Sequence, residues 1–331
     1  MFIVQNAAMA IVFCIVTMLG WGSWANTQKL AGKEKWPFPL YYWDYGIGVL
    51  LMAIVFALTL GSSGDSGMSA WTNFQQAAST PILIALASGA LFNVSNILLV
   101  VAIDEAGMAV AFPIGVGLAL VIGTVSSYVQ TPKGNPTLLF SGVGLVVIAI
   151  LISAAAHSKL PRTAGRGWLR GVVYSAIAGC LMGFFYPQLM RSVSPNFNSG
   201  TIEAGLLTPY TALVFFGIGL LVSNFVVNAI FMRAGKLQAR DYFAGSMKLH
   251  SLGIAGGAIW MLALGLNVIA SGVAGPAVSY ALGQGATLVA AIWGVAIWKE
   301  FRNAPAGVTA YLAMMFAGYS LGLALIGSAT L

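Results

Sequence analysis

Amide side chains set deep in apolar sequence are the residues of this chain best placed to do chemistry. Asn93 and Asn96 (LFNVSN) lie three apart and share one helix face, and Asn224 and Asn228 (SNFVVN) do so at a spacing of four. Gln284 interrupts another apolar run, with Tyr280 one turn earlier on the same face. Flat aromatic surfaces accompany them: Trp21 and Trp24 in GWGSWAN, Phe112, Tyr186 and Gln188 flanking Pro187, and Trp260. A polar group at membrane depth is costly, so each is a functional candidate by default. Amides supply both donors and acceptors, and rings can stack on the apolar face of a ligand. This set suits a neutral solute rich in hydroxyl or amide groups. Each residue also has a plainer reading. Asn224 and Asn228 can equally bond between helices, Trp21 and Trp24 can anchor an interface, and Tyr41, Tyr42 and Trp43 read as interfacial belt residues.

The charged groups are sparse. Asp44, Asp104, Glu105, Asp241 and Glu300 fall at span ends or in loops on one side, Asp65 and Glu203 on the other, and Glu34 in the first loop. None is plainly mid-membrane, where a proton carrier is often found. His250, in KLHSLG at the start of a span, and the loop-like His157 are the two histidines, a residue type suited to proton transfer. His250, with Asp44 and Glu105, is the candidate set for ion coupling or a gate. No grouping of His, Cys, Asp or Glu predicts a metal site or an embedded catalytic centre, no Walker sequence predicts ATP use, and no cofactor is expected. Cys14 and Cys180 sit inside apolar runs and read as small packing residues.

These groups need elements to hold them, and composition decides which. The chain has 331 residues, 59% of them hydrophobic and 7% charged, with mean hydropathy +0.89. A soluble domain would carry about a quarter charged residues. Only acyl chains solvate such a surface, so the chain is expected to be an all-α polytopic membrane protein. Ten runs reach the roughly 20 residues that span hydrocarbon: 7–25, 41–60, 81–103, 107–129, 137–156, 168–190, 207–231, 249–271, 274–298 and 306–328. The runs are continuously apolar, whereas barrel strands would alternate. Pro113 predicts a kink in the fourth span.

Of the 15 Lys and Arg residues, all but Lys133 and Arg191 fall in or beside the loops after odd-numbered spans. That bias predicts a cytoplasmic location for those loops and both termini outside, in a plasma (inner) membrane. It also makes the net charge of +7 a topology signal, so no nucleic-acid partner is expected. Residues 106–121 (AGMAVAFPIGVGLALV) align without a gap on 274–289 (AGPAVSYALGQGATLV), at an offset of 168. Ala87, Gly89, Ala90, Val100 and Ala102 fall on Ala255, Gly257, Ala258, Val268 and Ala270 at the same offset. Spans three and four thus correspond to eight and nine, dividing the chain into five-span halves, 1–157 and 158–331. An odd number of spans per half predicts inverted repeats, the architecture of secondary transporters with the solute at the repeat interface. At Asn93, Asn96 and Gln284 the counterparts are Met261, Leu264 and Val116, so symmetry is broken where a one-sided ligand would break it. The paired glycines Gly115/Gly117 and Gly283/Gly285 are expected to permit close helix approach.

Together these features resemble the drug/metabolite transporter superfamily, within it the branch of glucose/ribose porters, the rhamnose–proton symporter and the ureide permeases. The resemblance rests on Trp21-Gly22-Ser23-Trp24, the run AGMAVAFPIGVGLALVIGT, His250 followed by Gly256-Gly257-Ala258-Ile259-Trp260, Lys299-Glu300, and the YWDY at 42–45. It covers nearly the whole chain. His250 and the Gly-Gly-x-x-Trp are similar to the rhamnose symporter, while YWDY and spans four and nine are closer to ureide permeases. It implies import of a small polar solute, a monosaccharide or a ureide, through a central cavity; the inverted repeat predicts alternating access, His250 is the candidate for proton coupling with uniport the alternative, and a monomer or homodimer is expected. Multidrug or metabolite export is the alternative, although the spans lack the embedded glutamate on which drug exporters commonly rely. A channel would show a filter loop or charged ring, and neither is apparent.

Overall fold

The computed structural model describes residues 1–64, 66–160 and 167–330. Asp65, Arg162 and Arg166 therefore lie outside the described residues. Among those described, regular structure is helical apart from one isolated bridge between Val193 and Leu207. In chain order the helices are α1 (Ala7–Ser23), α2 (Ala25–Lys33), α3 (Phe38–Leu58), α4 (Ala70–Gln76), α5 (Ser79–Ala106), α6 (Met108–Gln130), α7 (Pro136–His157), α8 (Trp168–Ser192), α9 (Pro209–Asn224), α10 (Val227–Ala234), α11 (Ala239–Phe243), α12 (Met247–Ala274), α13 (Pro276–Gly283), α14 (Ala286–Ile292) and α15 (Val308–Ser328). They make ten segments long and apolar enough to cross a bilayer, so the chain is an integral, multi-pass membrane protein. In hydrocarbon every backbone group must find its partner within the segment, which leaves the helix as the solution for runs such as these.

Helix starts follow local chemistry. Asn6 and Asn135 accept hydrogen bonds from the first-turn amides of α1 and α7. Thr208 and Thr211 close a reciprocal cap on α9, and prolines open α7, α9 and α13. The loops sort to two ends. Phe2 N donates to Leu60 O, Ala78 N to Gly205 O, and Asn135 N to Ala329 O, so both termini gather with the loops after even spans. Lys29, Glu34, His157, Lys248 and Glu300 meet at the opposite end.

Long helices from early and late in the chain pack against one another. α5 and α12 are both 28 residues long and end on Gly107 (φ 82°) and Gly275 (φ 85°), a conformation that favours glycine. α3 packs on α12 as α9 packs on α5, α1 on α12 as α8 on α5, and α7 pairs with α15. Glycines set these crossings. A methyl on Gly257 would overlap the Tyr45 carbonyl oxygen, and one on its counterpart Gly89 would overlap that of Phe216. Of the four glycines in the aligned run, Gly115, Gly283 and Gly285 lie under neighbouring side chains. Gly117 faces open space, so close approach does not explain it.

Elsewhere the structure departs from the sequence reading. The first helix does not stop near residue 25 but steps at Trp24 into α2. Asn26 Nδ2 and Thr27 Oγ1 cap the carbonyls of Ser23 and Trp24, and the polar ANTQKLAGK has no breaker to end it. The seventh span breaks at Phe225–Val226 and the ninth at Gln284–Gly285, where hydrogen bonds shift to i−3 partners. The ninth then ends in a π-helical turn, Trp293–Ile297, a form concentrated at functional sites. α6, by contrast, runs through Pro113 as one helix. Tyr41 and Tyr42 are fully buried, not belt residues, because they pack inward with Tyr45 and Phe38.

Candidate functional site

A cavity of about 590 Å³ opens at the end that carries the basic loops. α1–α2, α5, α6, α7, α14 with the π turn, and α15 supply its wall. Asn96, Asn26, Ser153, Thr287 and Tyr319 give it polar groups, and Trp24, Phe112, Trp293 and Trp298 give it flat faces. At the mouth Lys29 Nζ lies 2.6 Å from Glu300 Oε1, with His157 Nε2 3.9 Å from the other carboxylate oxygen. The Lys29 and Lys33 ammonium groups sit 4.3 and 4.5 Å from the Trp298 ring centre. Trp298 Nε1 donates to Asn26 Oδ1 at 2.6 Å and Trp293 Nε1 to Ser23 Oγ at 2.9 Å, tying α2 to the end of the ninth span.

Three of the sequence candidates, Asn96, Phe112 and Trp24, line this cavity. Asn96 Nδ2 donates to Tyr42 OH at 3.1 Å, and Tyr42 stacks on Tyr45 with 5.0 Å between ring centres. Asn93 is one turn deeper and buried. Its amide donates to Ser223 Oγ at 2.8 Å while its carbonyl oxygen has no partner. Trp260 lies beyond it, with its ring centre 4.1 Å from that of Phe92 and stacked also on Trp21 and Phe216. Trp21 Nε1 donates to the Trp260 carbonyl, so Trp21 turns into the bundle. Tyr186 and Tyr280 form a second layer, with ring centres 5.0 Å apart. Tyr186 OH lies 3.0 Å from Ser279 Oγ, and Tyr280 OH donates to Ala119 O at 3.2 Å. Both layers are buried in the core of the bundle.

The remaining candidates lie apart from the cavity. Asn224 and Asn228 flank the break in the seventh span and donate to the carbonyls of Tyr42 and Pro39, so their amides hold α3. Gln284, half-buried at the break in the ninth span, is not among the cavity-lining residues. Glu105 closes α5 beside Gly167. Asn26, Thr287, Tyr319, Trp293 and Trp298 were missed by sequence reasoning. A hydroxyl in an apolar run satisfies itself on its own helix often enough that type and spacing do not mark it. Asn26 was hidden because its segment reads as loop.

Away from the cavity, Asp44 is the one buried carboxylate among the described residues. His250 Nδ1 lies 2.8 Å from its Oδ2, and Tyr242 OH donates to its Oδ1 at 2.6 Å. Burial and the adjacent carboxylate push the Tyr242 hydroxyl well above its usual value, so it remains a donor. The Trp36 ring sits edge-on to His250, Thr27 Oγ1 is 2.7 Å from Tyr41 OH, and Lys248 pairs with Glu34 at 2.7 Å, holding that carboxyl below its usual range. α2, α3, α11 and α12 are thereby joined around one titratable pair.

The family model described as "Ureide permease" matches residues 41–164. Two proteins of Arabidopsis thaliana are similar along nearly the whole chain. "Ureide permease 4" is 23% identical over 98% of both chains, and "Ureide permease 1" is 24% identical over 92% of both. A third, "Ureide permease 3", is 26% identical over 48% of this chain and 46% of its own. One solved structure shares the fold at a TM-score of 0.58, with 15% identity, covering 95% of this chain and 96% of its own. Likeness to permeases indicates a transporter, not an enzyme.

Proposed function

We propose, on the similarity of nearly the whole chain to ureide permeases, that it is a secondary transporter importing a ureide. The observation that carries the reading is a largely apolar cavity with a few polar groups and four flat aromatic faces on its wall, open at the end of the basic loops and neighbouring two buried aromatic layers. Such a cavity is what an inward-open transporter requires. Asn96, Thr287 and Tyr319 meet the carbonyls and N–H groups of the solute, while Trp24 and Phe112 cover its flat heterocyclic face. The two halves run in opposite directions and exchange conformations by rocking, the Phe92–Trp260 and Tyr186–Tyr280 layers parting as the Lys29–Glu300 mouth closes. Asn93 and Gln284 lie beside this route and engage the solute as the halves move. Three tryptophans on the wall also favour a second reading, a monosaccharide held by ring stacking.

Uptake is proton-coupled through Asp44 and His250. A carboxylate bonded to an imidazole and a phenol can hold a proton within a short network, which α3, α11 and α12 supply, with α2 held to α3 beside it through Thr27 and Tyr41. Protonation there changes how strongly these helices are held together, which biases one packing of the halves over the other.

Uptake into proteoliposomes of labelled allantoin, with glucose and ribose as competitors, tests the solute. Asn96→Ala is expected to lower saturable uptake at least tenfold, about 1.4 kcal/mol, at an unchanged unfolding temperature. Asn228→Ala, which removes a helix–helix bond, is expected to lower the unfolding temperature and leave KM alone. If Asn96→Ala transports normally, the assigned cavity is wrong. The proposed orientation, with basic loops in the cytoplasm and termini outside the plasma membrane, is checked by cysteine labelling in a background without Cys14 and Cys180. An impermeant reagent applied to intact cells should label Ser63→Cys and spare Lys159→Cys; the reverse pattern rejects it.

A further inference from the structure

Residues 235–246 join Ala234, at the end of the seventh span, to Met247, at the start of the eighth, and none of them lines the solute cavity. So short a connection between two spans stays at the membrane–water interface, and α11 lies within it. This helix has two sides. On one, Tyr242 OH donates to Asp44 Oδ1 at 2.6 Å, and its ring meets that of His250 edge-on with 4.8 Å between centres. Gly245, just beyond, packs so closely that an added methyl would overlap both Trp36 and His250. Arg240 and Phe243, three apart, share the other side. Phe243 is 79% exposed and Met247 80%, the most exposed large apolar side chains among the described residues. Apolar groups standing free at a bilayer surface insert at the boundary of headgroups and acyl chains.

The charge around them is positive. Arg233, Lys236 and Arg240 stand against the single carboxylate Asp241. Arg240 Nε is 4.0 Å from Asp241 Oδ1 with the arginine 80% exposed, so that pair is weak. Lys248 is taken by Glu34, whereas Arg233 and Lys236 have no ion pair among the described residues. Lys236 also holds φ 57° at the position that closes α10, where glycine is usual, with Leu237 N donating back to Met232 O at 2.9 Å. Lys35 (φ 59°) and Lys299 (φ 53°) occupy the same position after α2 and the ninth span. These three are the only residues besides glycine with left-handed backbone among those described. At this end of the molecule, then, a cation is kept where glycine would relieve the backbone.

We infer that the connection from α10 to α12 is a docking surface for anionic phospholipid. Phe243 and Met247 enter among the acyl chains, while Arg233, Lys236 and Arg240 meet headgroup phosphates. Lipid held on the outer side of α11 restrains that helix, and with it the Tyr242–Asp44 contact on the inner side. In the proposed orientation the surface meets the cytoplasmic leaflet, the more anionic of the two. The lipid preference does not depend on which solute is carried.

The test is hydrogen–deuterium exchange of the full-length chain in nanodiscs of phosphatidylcholine with and without phosphatidylglycerol. Phosphatidylglycerol is expected to slow amide exchange across residues 236–246 at least fivefold, and R233Q/K236Q to cut that slowing to less than twofold. K159Q/R170Q, which neutralises two exposed cations flanking another loop of the same end, should retain it. Phe243→Ser should speed exchange of the segment in both lipids. Equal exchange in the two lipids, slowing that survives R233Q/K236Q or is lost equally in K159Q/R170Q, or an unchanged segment in Phe243→Ser overturns the inference. Soluble glycerol phosphate added to phosphatidylcholine nanodiscs should have no effect; slowing by that free anion would overturn the assignment to a lipid surface.

Discussion

Gly257→Ala is expected to prevent the protein from folding as a stable, monodisperse species, although it adds a single methyl group. That methyl would overlap the carbonyl oxygen of Tyr45, a backbone atom in the neighbouring α3 that no rotamer change can move. Overpacking a core with one extra group commonly costs about 1–3 kcal/mol because side chains yield. Here the helix crossing itself must open, separating α3 from α12 and with them the Asp44–His250 contact, so the loss should exceed that range. Gly89→Ala, against the Phe216 carbonyl in the other half, should fail likewise. Gly144→Ala, with nothing within 4 Å of the added methyl, is the control and should unfold within about 2 °C of the wild type. An unfolding midpoint for Gly257→Ala that matched the control would mean that α3 and α12 do not cross as closely as described.

Asp44→Asn should uncouple the transporter without destroying it. The amide keeps the size of the carboxylate and can still accept from Tyr242, but it cannot carry a proton or balance the charge of a protonated His250. The groups facing Asp44 are Tyr242 from α11, His250 from α12 and Tyr41 from its own helix, with the Glu34–Lys248 pair outside them, and none of these replaces its negative charge at that spot. Solute accumulation driven by an imposed inward proton gradient is expected to fall more than tenfold. Solute counterflow at symmetric pH, which needs the cavity and the rocking motion but no net proton movement, should persist. His250→Ala should remove the pH dependence of uptake in the same way. Accumulation by Asp44→Asn that still follows the proton gradient would eliminate this pair as the coupling site.

The sequence by itself determined the solvent and hence the fold class. With so few charges, the chain can be solvated only by lipid, and ten runs of sufficient length follow from that. The offset of 168 places Gly107 on Gly275, and these two glycines end α5 and α12, each 28 residues long. Loop charge was legible as well, since topology signals are composed of residue counts. Asn96, Phe112 and Trp24, which line the cavity, could be singled out because a polar or flat group in an apolar helix is anomalous in any arrangement.

What only the tertiary structure decided is which neighbour each such group meets. Asn93, Asn96, Asn224 and Asn228 are alike in type and all buried, yet Asn96 alone of the four lines the cavity, while Asn224 and Asn228 bond to carbonyls of α3. Tyr41 and Tyr42 resembled belt residues because the hydropathy of one helix does not reveal which of its faces another helix will cover. Asp44 and His250 are 206 residues apart, and no local pattern can express that meeting. The physical reason is that periodicity fixes the face of a helix on which a side chain lies. Its partners are fixed by helix crossings, set here by glycines whose significance depends on the carbonyl oxygen lying opposite them.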